Sequence, residues 1–202
     1  PDTQANKYRL NPLNYEGIFH RGSCTCGTLT PSGYEVATKF LQSFNPKAYQ
    51  QIIDTQTTAL KKLLDDGQNN FDVFYGPSGS DMMYLPIIFQ ALLFGRKDII
   101  NIVSCPEELG SGSKAAAEGL FYSEWNQFGR KIPMGEEVAK NIKSKVFYLA
   151  ARENSGHISN RSRAIRKIIA EHPNQPIIGN LVFGSKSGIK DDLEIIDEFK
   201  EG

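Results

Sequence analysis

The sequence has little that would cross-link or anchor a chain. Its 202 residues include only three cysteines, and two of them, Cys24 and Cys26, are too close in sequence for an unstrained disulfide. This excludes a disulfide framework and favours a reducing compartment, so we expect a cytoplasmic protein. The chain begins at Pro1 and not at Met, and a targeting leader removed before this residue remains compatible with that expectation.

An excess of charge of one sign is also missing, because 23 basic side chains balance 23 acidic ones. Without a net field, nothing attracts the chain to nucleic acid or to an anionic membrane. The longest mostly apolar run, Leu85 to Phe94, is shorter than the roughly 20 residues that cross a bilayer. We therefore expect neither nucleic acid nor a membrane as a partner. The histidines are too scattered for a metal site: His20, His157 and His172.

What the sequence does contain is an alternation of strand and helix patterns. Apolar and aromatic runs predict strands at 71–75, 98–105, 145–150 and 176–183. Helices are predicted after Thr30 and Asn45 and at 82–94, 114–125, 162–171 and 191–200. Apolar strands separated by helices are typical of a parallel sheet covered on both faces. We therefore predict an α/β fold, a three-layer α/β/α domain over residues 32–202, preceded by an extended arm at residues 1–31.

Within the helices, Ser32 and Glu35 have the spacing of a capping box. The helix predicted at 82–94 is apolar on every side, so we expect it to be deeply buried and kinked at Pro86. The basic residues of segment 161–169 are expected on a solvated helix face. Four aromatic residues at helical spacing are expected to pack in a core or a dimer interface: Phe121, Tyr122, Trp125 and Phe128.

The most informative stretch is Gly76-Pro77-Ser78-Gly79-Ser80, between the first predicted strand and the apolar helix. Amides at a helix N-terminus and the helix dipole stabilise an anion. Gly79 permits close approach of the backbone, and Ser78 and Ser80 add hydroxyl donors. The stretch therefore predicts a phosphate site, with a plain turn capped by Ser80 as the alternative. It matches neither the P-loop nor the GxGxxG motif, which argues against nucleoside triphosphates and dinucleotides.

A second glycine- and serine-rich turn, Gly110 to Lys114, follows the next predicted strand. It has two interpretations, a second anion site or the cap of the following helix. Glu107 and Glu108 precede it, and their carboxylates would repel a phosphate unless they point elsewhere, which favours the cap. Cys105, at the end of the strand, is expected to be a buried small hydrophobic residue.

These turns, in this order, resemble the large domain of fold-type I pyridoxal 5′-phosphate (PLP) enzymes, the aspartate aminotransferase superfamily, and especially its class V branch with the cysteine desulfurases. Residues 78–81 are similar to the family's Ser-Gly-Thr-like turn with an acidic neighbour, which grips the cofactor phosphate. The resemblance implies that Glu108 occupies the position of the side chain that stacks on the pyridine ring, although a carboxylate cannot stack as an aromatic ring does. It also implies that Ser185 lies near the cofactor hydroxyl.

The resemblance implies PLP as the cofactor and an amino acid as the substrate, with transamination, decarboxylation or elimination as the reaction. In the family, the aspartate that pairs with the pyridine nitrogen and the Schiff-base lysine follow the matched segment. The chain is thus expected to be the N-terminal portion of the large domain, partnered by the C-terminal half of the enzyme and a homodimer mate. N-terminal segments of the family approach the site, so Arg21 is expected to bind a substrate carboxylate, or else to be an ordinary surface residue.

Two other functions fit the same turns. Glycine- and serine-rich turns that open helices also bind sugar phosphates, so a phosphosugar-binding isomerase or regulatory module is one alternative. A noncatalytic subunit, in which the turns are only structural, is the other. The fold alone does not separate these functions.

Overall fold

The computed structural model describes residues 29–64, 71–95, 98–126, 128–140, 142–184 and 187–199. The chain divides into two compact units, residues 1–74 and 75–202. The helices are α1 (Pro31–Ser43), α2 (Tyr49–Leu64), α3 (Gly79–Met82), α4 (Tyr84–Phe94), α5 (Ser111–Ala117), α6 (Arg161–Glu171) and α7 (Ile195–Glu198). The strands are β1 (Asp98–Ser104), β2 (Lys143–Leu149) and β3 (Ile177–Asn180), and Pro46–Ala48 and Pro106–Glu108 form 3-10 helices.

The first unit contains α1 and α2, which confirm the helices predicted after Thr30 and Asn45. The Oγ1 atom of Thr30 accepts a hydrogen bond from the Gly33 amide at 3.1 Å, so Thr30 is the N-cap of α1. The capping box predicted from Ser32 and Glu35 is therefore wrong. Pro31 explains the difference, because proline favours the first helical position and starts the helix one residue before Ser32.

The second unit is built on a three-stranded sheet in the order β2-β1-β3. Both pairs of strands are parallel, with Ile100 of the central strand opposite Lys145 on one side and Ile177 on the other. The sheet confirms the strands predicted at 98–105, 145–150 and 176–183. The protein is therefore a mixed α/β protein with a small parallel sheet.

Alternate residues of β1 pack on opposite faces of the sheet, as the pleat requires. On one face Ile99 packs with Ile87 of α4 and Ile178 of β3. The other face forms the larger cluster, whose buried members are Ile100, Ile102, Ile165, Ile168 and Ile195. Because β1 is covered on both sides, it reads in sequence as a continuous apolar run.

A polar exception lies in the middle of β1. The side chain of Asn101 is fully buried and donates to the carbonyl of Ala117 at 2.8 Å, while its own oxygen accepts from Asn180. Ser144 of β2 donates to the same carbonyl at 3.2 Å. The last residue of α5 is thus bonded to two strands, which satisfies a carbonyl that the helix end leaves without an intrahelical partner.

Two predicted elements are wrong. Residues 71–76 form no strand. The helix predicted at 114–125 ends at Ala117. Gly119 follows with a φ of 78°, a left-handed conformation in which glycine commonly ends helices. The aromatic residues after it therefore lie in loops.

The apolar segment predicted as one buried helix is two helices, α3 and α4, separated at Met83. Pro86 is the third residue of α4, a position where its missing amide leaves no intrahelical acceptor of α4 without a donor. Deep burial is also wrong, since Ile87 is the one buried residue of α4 and its last turn is open. Leu92 is 76% exposed and Leu93 70% exposed. No helix among the described residues is long and apolar enough to cross a membrane.

The basic segment 161–169 also departs from the prediction at its first residue. Arg161 is buried, and its Nε donates to Asp191 Oδ1 at 2.6 Å. Its terminal nitrogens donate to the carbonyls of Ala151 at 3.3 Å and Lys190 at 3.1 Å. Asp191 Oδ2 accepts from the Val182 amide at 2.8 Å. The pair thereby joins the segments that follow β2 and β3, while the remaining basic residues of α6 are exposed as predicted: Arg163, Arg166 and Lys167.

Replacing Arg161 by Met is expected to lower the free energy of unfolding by about 3–5 kcal/mol, because the Asp191 carboxylate would stay buried without a counter-ion. Urea unfolding followed by circular dichroism measures the loss. Arg166→Met is the matched control, since Arg166 pairs with Glu198 on the surface and should lose far less. Equal losses in the two variants would show that the buried pair contributes no more to the free energy of unfolding than the surface pair does.

Candidate functional site

The glycine- and serine-rich turns meet at the edge of the sheet where the parallel strands end. β1 leads directly into Pro106–Glu108 and the turn that opens α5. The turn at 76–80 follows no strand, yet its Ser80 hydroxyl lies 3.0 Å from the hydroxyl of Ser113. Two turns that are 33 residues apart in sequence are therefore in direct contact.

In the first turn, Ser78 is the N-cap of α3. Its hydroxyl accepts from the Asp81 amide at 3.2 Å and donates to Asp81 Oδ2 at 2.6 Å. The cap is therefore Ser78, and the alternative that assigned this role to Ser80 is wrong. Residues 76–79 are exposed and Ser80 is half-buried, so the turn is open to solvent at every position but its last.

Two stacked tyrosines hold the loop after α5 against this turn. The rings of Tyr84 and Tyr122 lie 6.0 Å apart at 20°, and the Tyr122 hydroxyl donates to Asp81 Oδ2 at 2.9 Å. The Tyr84 hydroxyl donates to the Leu120 carbonyl at 2.6 Å. Burial raises the pKa of Tyr84 to about 12, and burial is also the main cause that raises the pKa of Tyr122. Both hydroxyls therefore remain neutral donors near pH 7.

The glycines of the two turns have different surroundings. A Cβ atom on Gly79 would meet nothing within 4 Å. On Gly112 it would lie 2.9 Å from the ring of Tyr122 and 3.3 Å from the Ser80 hydroxyl. Close packing thus requires glycine at position 112, whereas the space beside Gly79 is open to a ligand or to solvent.

The second turn is the cap of α5, as one of its two interpretations predicted, with Gly110 as the N-cap. The carboxylate of Glu107 accepts from the Ala151 amide at 3.2 and 3.3 Å. The carboxylate of Glu108 accepts from the hydroxyl of Ser187. Each glutamate therefore bonds to the segment that follows another strand, Glu107 beyond β2 and Glu108 beyond β3.

The predicted site residues are only partly brought together. Ser80 of the first turn contacts Ser113 of the second, and Glu108 bonds to Ser187 in the loop after β3. Ser185 and Arg21 lie outside the described residues. Tyr122 is the residue that sequence reasoning missed, because its contact with Asp81 spans 41 residues.

The other titratable candidates have no catalytic setting. His157 is exposed, and the Nδ1 atom of the half-buried His172 lies 2.7 Å from Gln175 Oε1. The described ranges contain no group of three or more histidine, cysteine, aspartate or glutamate side chains that could hold a metal ion. Cys105 is fully buried, as predicted, and burial raises the pKa of its thiol. His20, Cys24 and Cys26 lie outside the described residues.

No family model, curated protein or solved structure matches this chain. A functional assignment therefore depends on the geometry of the turns and on the resemblance of their sequence. Of these two, the geometry gives specific contacts that substitutions can test.

Replacing Gly112 by Ala is expected to lower the free energy of unfolding by about 1–3 kcal/mol, because the new methyl group would overlap the Tyr122 ring. Gly79→Ala is the matched control, since its methyl group meets open space and should cost little or stabilise α3 slightly. Urea unfolding of both variants gives the comparison. If Gly112→Ala is as stable as Gly79→Ala, the two turns are not in the close contact described.

Alkaline pH should weaken the fold through Tyr84. Its pKa is 10.0 without burial and about 12 in the folded protein, so folding favours the neutral hydroxyl. The contribution of the neutral Tyr84 hydroxyl to the free energy of unfolding is complete below pH 10 and is lost as the pH rises to about 12. The free energy of unfolding, measured across this range, should fall less steeply in Tyr84→Phe than in the wild type.

Proposed function

We propose that this chain is the N-terminal portion of a PLP-dependent enzyme that acts on an amino acid, by transamination, decarboxylation or elimination. In this proposal residues 76–80 hold the cofactor phosphate, and the second unit is part of a three-layer PLP-transferase-like large domain. The contact between Ser80 and Ser113 carries the proposal. It joins two glycine- and serine-rich turns beside the carboxyl ends of parallel strands, where α/β proteins bind their ligands.

The residues at this edge fit a phosphate group. Ser80 and Ser113 offer hydroxyls 3.0 Å apart, and Ser78 offers a third in the same turn as Ser80. A phosphate dianion accepts hydrogen bonds from hydroxyls strongly. The open space beside Gly79 lets a ligand approach the backbone. The carboxylate of Asp81 opposes an anion, but its Oδ2 also accepts from the Tyr122 hydroxyl, which spreads its charge even when the Ser78 hydroxyl turns to the phosphate.

The roles of the remaining residues follow from the resemblance. Glu108 would lie near the pyridine ring, Ser185 near the cofactor hydroxyl, and Arg21 at the carboxylate of the amino acid. When bound, PLP supplies an electron sink for bonds at the α-carbon of the substrate. In this proposal the described residues bind and orient the cofactor. We assign neither the Schiff-base lysine nor any other catalytic residue to this chain.

Binding of pyridoxamine 5′-phosphate tests the phosphate site, because this form of the cofactor cannot react with surface lysines. Calorimetry should show that it binds at least about tenfold more tightly than pyridoxamine, which lacks the phosphate. It should also bind more tightly than glucose 6-phosphate. Equal affinities for pyridoxamine and its phosphate would overturn the proposal. A preference for glucose 6-phosphate would favour a phosphosugar module, and no binding of any ligand would favour a noncatalytic subunit.

Two variants of Gly79 locate the site within the same experiment. Gly79→Asp and Gly79→Asn add side chains of the same shape where a Cβ meets open space, so neither should disturb the fold. Only the aspartate repels a phosphate, so Gly79→Asp should weaken binding at least about tenfold relative to Gly79→Asn. Equal affinity in the two variants would place the phosphate elsewhere.

A further inference from the structure

A separate cavity of about 300 Å³ lies beside the stacked tyrosines. Its lining residues come from α3, α4 and the loop after α5: Asp81, Tyr84, Phe121, Tyr122, Ser123, Trp125, Asn126 and Ile132. Half of these residues are aromatic, one is a carboxylate, and in this part of the described chain none is a lysine, an arginine or a histidine. The volume is at the lower end for sites that hold small organic ligands.

We propose that this cavity binds a small organic ammonium ion, held between the faces of its aromatic rings and the carboxylate of Asp81. Aromatic faces carry partial negative charge and attract cations, tryptophan most strongly. The two hydroxyls that bond Asp81 both reach Oδ2, and Oδ1 accepts no hydrogen bond from the described residues. The carboxylate therefore keeps one oxygen for a ligand, and an anionic ligand would meet its charge unopposed.

The walls of the cavity are fixed by their own contacts. Tyr122 is held by its hydrogen bond to Asp81 and by stacking on Tyr84. The amide of Trp125 donates to the Ser123 hydroxyl at 3.2 Å, and Trp125 forms an antiparallel bridge with Lys131. Trp125 is nevertheless 57% exposed. A large ring that is anchored through its backbone, lines a cavity and is partly exposed is suited to contact a ligand.

The site is distinct from the proposed phosphate site in the charge that it selects. Asp81 borders both, with its Oδ2 bonded to Ser78 of the turn and its side chain lining the cavity. The proposal goes beyond the PLP assignment, since an aromatic cavity with a carboxylate binds a cation whether or not a phosphate binds at residues 76–80. The two proposals can therefore fail separately.

Trp125 provides the measurement, because it is the only tryptophan of the 202 residues. Titration with choline chloride, at constant ionic strength, should change its emission saturably. The uncharged analogue 3,3-dimethylbutan-1-ol has the same shape and should bind at least about tenfold more weakly, since it lacks the cation–π and carboxylate interactions. Neither probe carries a phosphate, so the result is independent of the phosphate site.

Asp81→Asn should weaken choline binding by about tenfold or more. Glu124→Gln is the charge-matched control, because Glu124 is exposed next to Trp125 but does not line the cavity, and it should leave the affinity unchanged. Equal binding of choline and the alcohol by the wild type would overturn the proposal, as would equal losses in the two variants or the absence of a saturable change. The wild-type comparison decides the question even if Asp81→Asn fails to fold.

Discussion

The buried pair of Arg161 and Asp191 is the constraint on which the segments beyond the carboxyl ends of the strands depend. Moving two such charges out of water costs several kcal/mol for each ion, and the cost is recovered only in a geometry that satisfies nearly every donor and acceptor. Here Arg161 bonds to Asp191 and to the carbonyls of Ala151 and Lys190, and Asp191 also accepts from Val182. Any shift of these segments would leave a buried charge without its partner. The segments beyond β2 and β3 are thus held in one arrangement.

The arrangement of the turns follows from that framework. Glu107 bonds to the amide of Ala151, whose carbonyl accepts from Arg161. Glu108 bonds to Ser187, in the loop that ends at Asp191. The two glutamates therefore tie the segment after β1 to the segments after both neighbouring strands. This explains why two carboxylates can precede a glycine- and serine-rich turn, since each bonds to a neighbouring segment, Glu107 to a backbone amide and Glu108 to a serine hydroxyl.

The sequence predicted the parts of the fold that depend on local patterns. The apolar runs at 98–105, 145–150 and 176–183 do form parallel strands. Prediction from the sequence failed where contacts between distant residues decide the local structure. Residues 71–75 have the composition of a strand and form none, and Arg161 lies in a basic segment but pairs with a residue 30 positions away.

Prediction of the candidate site from the sequence has the same limit, because contacts between distant residues are not visible in local patterns. The composition of the turns at 76–80 and 110–114 was visible in the sequence, and so was their role in opening helices. Their mutual contact through Ser80 and Ser113 was not, because no local pattern reports which turns meet. Gly119 is a local signal for a helix end, which argues against helical packing of Tyr122. No local pattern shows that the Tyr122 ring reaches Asp81, 41 residues away.

Asp81 links the two proposed ligands energetically. A phosphate at residues 76–80 needs the hydroxyl of Ser78, which in the described structure donates to Asp81 Oδ2. If that hydroxyl turns to the phosphate, the carboxylate loses one of its two donors and becomes a better acceptor for a cation in the cavity beside Tyr122. A bound cation in turn offsets the repulsion between the carboxylate and the phosphate. Each ligand should therefore tighten the binding of the other by the same factor, because coupling between two sites is reciprocal.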